Sequence, residues 1–414
     1  MRSLLILDMS FTLKMFKERQ LEQALESRKL NGYFSHVISV HPLAGLFETG
    51  NGRYGKPLIT EIDASHVFVE GKVGVSRYLQ FLLPLNLVLA QINLINLLLK
   101  ISKKSKVDVV HIGDPYYLGV IGWLIAKLLR VPLAIRVCFN YDQLYKTSGK
   151  AVFPRLFGLR FIEKMIERFI FPRCALVAGA NQNNLEYAID NGANPNNGVV
   201  FRYGNLIHPI HFIDPGSRGE CMKLLSELGV HGNYLATVSR LEKMKQPEQN
   251  LLVMKSLVDA GYNVSFVFIG DGSMKDELEE MTEKLGLREH IVFAGNRTQE
   301  WIGKVLPTVR LVLSPHMGRG LTEACLAGIP IVAYDYDWQG EIIRSGETGE
   351  LVAEGDWKEM ALRASKLLDD PERSRQLGNQ ARRVAIEMMS PKTLADIQVA
   401  SYESMFNRKQ KVDE

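Results

Sequence analysis

Arg240, Glu242, Lys243 and Lys245 follow at once on an apolar run, Tyr234 to Val238, that reads as a strand. A strand that empties into clustered cations suits a phosphate, because the charges stand at a fixed edge and can neutralise a diphosphate. A solvated run of charge on a surface has the same appearance. A second group lies in Val309 to Trp357, where a short apolar strand is followed by Ser314, Pro315, His316 and the glycines 318 and 320. The pattern predicts a helix from Leu321 or Thr322, which leaves Gly318 and Gly320 in the preceding loop with N–H groups free for an anion. Glu323 then falls in the first helical turn, favourable for a carboxylate and well placed to accept hydrogen bonds from sugar hydroxyls. A third group, His111 and Asp114, closes the run VDVVHI, and Asn140 and Asp142 close LAIRVCF. Parallel strands with a crossover helix bring these four toward one carboxyl edge, where open α/β sheets bind ligands. A structural histidine and an aspartate that only forms a turn before Pro115 fit the same pattern.

The elements that position these groups alternate strand and helix along the chain. Leu4 to Leu7 is a first strand ending at Asp8, Lys14 to Leu30 a helix and His36 to Ser39 a second strand, a βαβ opening whose loop has no glycine fingerprint. Residues 41 to 65 are rich in Gly and Pro and read as an irregular loop. Phe81 to Leu99 is the longest apolar run, but Pro84, Asn86, Gln91, Asn93 and Asn96 interrupt it, so it reads as a buried or interfacial helix rather than a membrane span. Lys146 to Arg173 is basic and aromatic, with a helical pattern from Leu156 to Phe169. It fits either a surface that meets an anionic or lipid-linked acceptor or a helix packed by its aromatics. Turn-like sequence from Asn205 to Gly216 is the expected linker. Beyond it come a helix over Gly219 to Leu228, a Gly270-Asp271-Gly272 turn after the strand Val264 to Ile269, and a charged helical tail broken near Ser390 and Pro391.

A chain of 414 residues exceeds one ordinary hydrophobic core, and two domains of about 200 residues are expected. The expected boundaries are 1–210, 211–385 and a helical tail, 386–414, that packs back on the first domain. A formal charge of +4 gives no case for nucleic-acid binding. Cys138, Cys174, Cys221 and Cys325 lack the spacing of a zinc site or a disulfide framework. The opening MRSLLILDMS is too short an apolar run for a signal peptide, so a cytoplasmic setting is expected, with peripheral attachment to a membrane left open.

On these motifs the second half resembles the retaining glycosyltransferases of the GT-B fold, the family 4-like group that takes sugars from nucleotide diphosphate donors. Arg240 and Lys245 match the arginine and the lysine five residues on that bind the donor diphosphate, and Gly270-Asp271-Gly272 matches the glycine loop. The nucleotide base would lie near Phe293 to Arg297, and GEIIRSGETGELV matches the run after the donor strand. The group's signature has two glutamates eight residues apart. Glu323 matches the second, a ribose ligand, but Pro315 stands at the first, so sugar contact would fall to His316 or to the main chain from Met317 to Gly320.

The resemblance implies two doubly wound Rossmann-like domains facing across a cleft and transfer of a sugar with retention. Arg240, Lys245, Asp114 and His111 would carry the reaction. Gly270, Gly272, Arg297, His316, Gly318, Gly320, Leu321, Thr322 and Glu323 would hold the donor. No metal or other cofactor is required; the donor is a nucleotide sugar, UDP favoured and GDP allowed. Asp335-Tyr336-Asp337 falls where a loop, not a metal site, is expected. The implied acceptor is a glycan or lipid-linked hydroxyl, with oligomeric state open. Two rivals remain: a UDP-GlcNAc 2-epimerase-like enzyme of the same fold, and a degenerate nucleotide-sugar binding protein.

Overall fold

The computed structural model describes residues 2–19, 21–152, 158–217, 228–229, 233–316 and 318–413. It divides into two compact units, residues 1–206 with 391–414, and residues 207–390.

The first unit is built on an eight-stranded sheet in the order β3-β4-β2-β1-β5-β6-β7-β8. Its strands are β1 Arg2–Leu7, β2 Phe34–His41, β3 Leu58–Asp63, β4 His66–Glu70, β5 Val109–Ile112, β6 Leu133–Val137, β7 Leu176–Gly179 and β8 Gly198–Val200. All neighbours are parallel except β3, which pairs antiparallel with β4 at one edge. That edge hairpin corrects the expectation of an irregular loop over residues 41 to 65. The residues of β3, LITEID, are exposed on both faces save the half-buried Thr60 and follow no period of two, so no hydrophobic pattern announces the strand. The first crossover is two short helices, α1 Leu13–Glu18 and α2 Glu22–Glu26, rather than one helix. On the other side of the sheet lie α3 Leu83–Lys104, α4 Tyr117–Leu129, α5 Tyr141–Ser148, α6 Arg160–Ile170 and α7 Gln182–Asp190. Interior strands such as β5 are buried on both faces and therefore read as continuous apolar runs.

The terminal helix Pro391–Asp413 belongs to this first unit. Its Tyr402 packs edge-on against Phe34 and lies over Phe201, the Tyr33 hydroxyl donates to Glu403 at 2.5 Å, and Lys409 donates to the Arg130 carbonyl. Among the described residues, one helical run, Arg77–Lys104, is long and apolar enough by length and composition to cross a membrane.

The second unit has a six-stranded parallel sheet in the order β11-β10-β9-β12-β13-β14. The strands are β9 Tyr234–Val238, β10 Ser265–Ile269, β11 Ile291–Gly295, β12 Leu311–Ser314, β13 Ile331–Tyr334 and β14 Glu350–Val352. Separate apolar clusters cover its two faces. The expected helix over Gly219 to Leu228 lies outside the described residues, apart from Leu228, as does Cys221. In each sheet the strand order reverses once, at β1 and β5 in the first unit and at β9 and β12 in the second. At such a switch point the connections leave in opposite directions and open a crevice at the carboxyl ends of the strands.

Candidate active site

In the second unit the crevice residues follow β9 and β12. After Val238 the chain passes through Arg240 into the short turn Lys243–Lys245, and Gln246 takes a left-handed conformation (φ 50°) that turns it into the helix Glu248–Asp259. The Lys245 ammonium reaches across to His316, Nζ to Nδ1 3.1 Å. It also stands beside Gly318, where a Cβ would lie 3.8 Å from Nζ. Burial, then repulsion by Arg240, brings the Lys245 pKa down to about 8 against the pull of the Asp337 carboxylate. The His316 ring rests against Tyr336 with centroids 4.9 Å apart. Lys245, His316 and Gly318, all singled out in the sequence, are thus brought together, with the exposed Arg240 close enough to act on Lys245. The flanking Tyr336 and Asp337 were not singled out as donor-site residues; no local pattern links them to Lys245.

The glycine turn after β10 has a steric cause. Gly270 adopts φ +142°, and a Cβ there would stand 2.0 Å from the Ser239 carbonyl oxygen; one on Gly272 would stand 2.4 Å from that of Leu241. Glu242 ties the two loops by accepting from the Ser273 hydroxyl at 2.7 Å. These glycines therefore let the second loop lie flat against the one that carries Arg240. Arg297, after β11, donates from Nε to the Ala294 carbonyl and lies over the Trp301 ring.

The helix after β12 starts earlier than the sequence pattern predicts. It spans Arg319–Ala327 with Gly318 as its N-cap and ends at Gly328 in a left-handed turn (φ 74°). Gly320 is therefore not a loop residue: it is inside the first turn and buried, and a Cβ would meet the Val238 carbonyl oxygen at 2.1 Å. Glu323 is correspondingly in the second turn, not the first. Leu321 and Thr322 bury their side chains, so these two residues could meet a ligand only through their main chain. The Leu321 N–H donates to the Gly318 carbonyl, whereas the Arg319 and Gly320 amides, at the first two helical positions, have no carbonyl of the helix to bond. Met317 lies outside the described residues.

Glu323 is 1 % exposed. It accepts from Arg319 Nε at 2.9 Å, and with the Gln299 amide in its satisfying orientation it also accepts from Gln299, which in turn donates to His211. Burial raises the Glu323 pKa, with Arg319 and Gln299 pulling it down. Gln299 and His211 are 88 residues apart in the chain, and no sequence signal joins them.

In the first unit His111 and Asp114 have separate partners. His111 is buried and its Nδ1 meets the Tyr402 hydroxyl at 2.5 Å; burial, then Arg136, pushes its pKa down to about 3. Asp114 accepts from the Tyr116 and Leu118 amides at 2.8 and 3.3 Å and so caps α4. Burial pushes its pKa up to about 7 against those bonds. Asn140 caps α5, and Asp142 pairs with Arg160 at 2.8 Å, so neither joins His111. What the sequence did not bring forward is a cavity of about 140 Å³ lined by His111, Asp8, Arg28, Arg136, Tyr203 and Tyr402, among others. There Asp8 pairs with Arg28 at 2.6 Å; burial works to raise the Asp8 pKa, but Arg28, Ser10 and His41 outweigh it and hold it below its ordinary value.

Residues 227–384 match the family model described as Glycosyl transferases group 1. Over 166 residues the chain is 29% identical to the putative glycosyltransferase EpsD of Bacillus subtilis, covering 40% of this chain and 43% of that protein. Over 144 residues it is 28% identical to the 2-deoxystreptamine glucosyltransferase of Streptomyces kanamyceticus, covering 34% and 37%. The aligned region is thus about two fifths of each relative's length. The whole chain superposes on Anabaena Alr3699/HepE, solved in complex with UDP and glucose, with a TM-score of 0.69 at 18% identity, covering 98% of this chain and 100% of that one. Two doubly wound α/β units and the superposition give this chain the GT-B fold, and within it residues 227–384 carry the likeness to the glycosyl transferases group 1.

Proposed function

We propose that the chain transfers a sugar from a nucleotide-diphosphate donor, UDP-sugar favoured and GDP-sugar allowed, to a hydroxyl of a glycan, glycolipid or small acceptor, with retention at the anomeric carbon and in the cytoplasm. The observation that carries this reading is the ammonium of Lys245, set against His316 and the start of the helix Arg319–Ala327 at the strand-order reversal of the second unit. Arg240 and Lys245 would hold the diphosphate and take up charge as it leaves, and the Arg319 and Gly320 amides would face its oxygens. The acceptor oxygen bonds to the anomeric carbon on the face from which the diphosphate departs, and its proton passes to the departing phosphate oxygen. His316 stands next to Pro315, where the related group carries its first glutamate, and would contact the sugar. Glu323 would reach the ribose once Arg319, which is part-exposed, moves aside. Gly270 and Gly272 would shape the donor loop and Arg297 would flank the base. We keep Asp114 and His111 as acceptor-side positioning residues, since α4 and Tyr402 already engage them.

The test is a thermal-shift screen of UDP- and GDP-sugars, followed by mass spectrometry of products and NMR of the new anomeric proton. Lys245→Ala should weaken UDP-sugar binding by about 2–5 kcal/mol, the cost of removing one partner of a desolvated charge contact. Unchanged affinity would remove Lys245 from the site, and a new sugar isomer formed without any acceptor would favour an epimerase.

A further inference from the structure

The outer surface of the α3, α4 and α6 layer is inverted relative to an ordinary soluble helix layer. Helix α6 buries both of its acids, Glu163 and Glu167, against Arg160 at 3.2 and 2.5 Å, and turns large apolar side chains outward, Phe161 at 72 % and Met165 at 58 % exposed. Helix α3 does the same along one stripe. Leu94 and Leu98 are fully buried in the core while Leu85, Val88 and Ile92, spaced three and four apart, face out, and Phe81 in the preceding turn is 86 % exposed. Helix α4 packs between the two and adds Val120 and Leu128 to the same outer surface. Single exposed apolar residues are ordinary, but a multi-helix face of them marks an interaction surface.

Charge decides what that surface meets. Helices α3 and α4 contain no Asp or Glu, and both acids of α6 are buried, so every exposed charged side chain on the three helices is cationic: Lys100, Lys103, Lys104, Lys127 and Arg168. A two-fold dimer through this face would set like charges against one another, which costs free energy at an interface. A bilayer rich in anionic headgroups complements both features, the cations at the phosphates and the apolar side chains at the acyl boundary. The helix is held in the plane of such a surface. Crossing the bilayer would withdraw Leu94 and Leu98 from the core and break the bonds of the buried Asn86 side chain to Val75 N at 2.7 Å and to the Ser76 carbonyl at 2.8 Å.

We propose that the outer face of α3, α4 and α6 docks on an anionic phospholipid surface. This deepens the reading of a lipid-linked acceptor above, and lipid binding and sugar transfer are measured separately, so that either can fail alone. The full chain is sedimented with vesicles of mixed phosphatidylglycerol and phosphatidylcholine and with vesicles of phosphatidylcholine alone, at low and high salt. Binding to the anionic vesicles only, weakened by salt, is expected. The double variants Phe161→Ser with Met165→Ser and Val88→Ser with Ile92→Ser should each lower partitioning about tenfold, and replacing Lys100, Lys103 and Lys104 by Gln should lower it comparably. All these side chains are exposed, so circular dichroism and Tm should match the parent, and transfer to a soluble acceptor should persist. Equal binding to both vesicle types, no binding to either, parental binding by the serine variants, or a homodimer that those variants dissociate would each overturn the proposal.

Discussion

Lys245 shows how a charged group can be held ready for an anion. Burial and the neighbouring Arg240 bring its pKa down to about 8, so the ligand-free native state binds fewer protons than the unfolded chain between that value and the ordinary lysine range. In that window this residue makes the ligand-free protein more stable as pH rises. Below pH 8 the ammonium is present and its cost in the empty site is carried in full. A bound diphosphate reverses the balance by favouring the cation. UDP affinity should therefore fall as pH rises above about 8, by up to about tenfold per unit, with proton uptake on binding seen by calorimetry in buffers of different ionisation enthalpy. The Lys245→Ala variant should show neither effect. Asp114 is a different case, because its carboxylate already accepts two amide hydrogens at the start of α4. Asp114→Ala should lose about 1–2 kcal/mol in chemical denaturation, as for a lost helix cap, whereas Asp114→Asn should keep both stability and transfer rate. Loss of kcat in the asparagine variant without loss of stability would instead make this carboxyl a proton acceptor.

At the scale of elements, the donor side depends on how closely the helix Arg319–Ala327 approaches β9. Gly320 is the contact, with no room for a methyl group between it and the Val238 carbonyl. Gly320→Ala should push the start of the helix off the sheet, cost about 1–3 kcal/mol of stability and weaken UDP binding with it. Gly318, two residues before, is extended (φ −176°) and has only the Lys245 ammonium near its missing Cβ. Gly318→Ala should hold Tm, and a comparable loss there would contradict the packing argument. Differential scanning of both variants, with and without UDP, separates the two.

For the molecule as a whole, the terminal helix Pro391–Asp413 returns to complete the first unit. Tyr402, Met405 and Phe406 are buried there with Leu4, Phe34 and Phe201. Truncation after Ser390 should remove about 1.5–3 kcal/mol for each of the three buried side chains and release the His111 contact with Tyr402. The expected result is a lowered melting transition for the first unit and an unchanged one for the second. A single unshifted transition would show that the helix contributes nothing to that core.

The amino-acid sequence by itself determined the alternation of strand and helix, the glycine turns and the emergence of cations from β9, because each is written within about a dozen neighbouring residues. It also supplied Lys245, His316 and Gly318 as separate candidates. Only the tertiary structure decided that they meet, since Lys245 and His316 are 71 positions apart and are joined by two strands being neighbours in a sheet. The helix start after β12 was misplaced for a related reason. Gly318 and Gly320 look like loop residues locally, and it is the Val238 carbonyl that requires Gly320 inside the first turn. Period alone could not say which side of α6 faces inward either, for its acids and its apolar residues form two stripes of similar spacing. Arg160 decides it, because a fixed counter-charge inside the fold makes burial of Glu163 and Glu167 affordable and leaves Phe161 and Met165 outside.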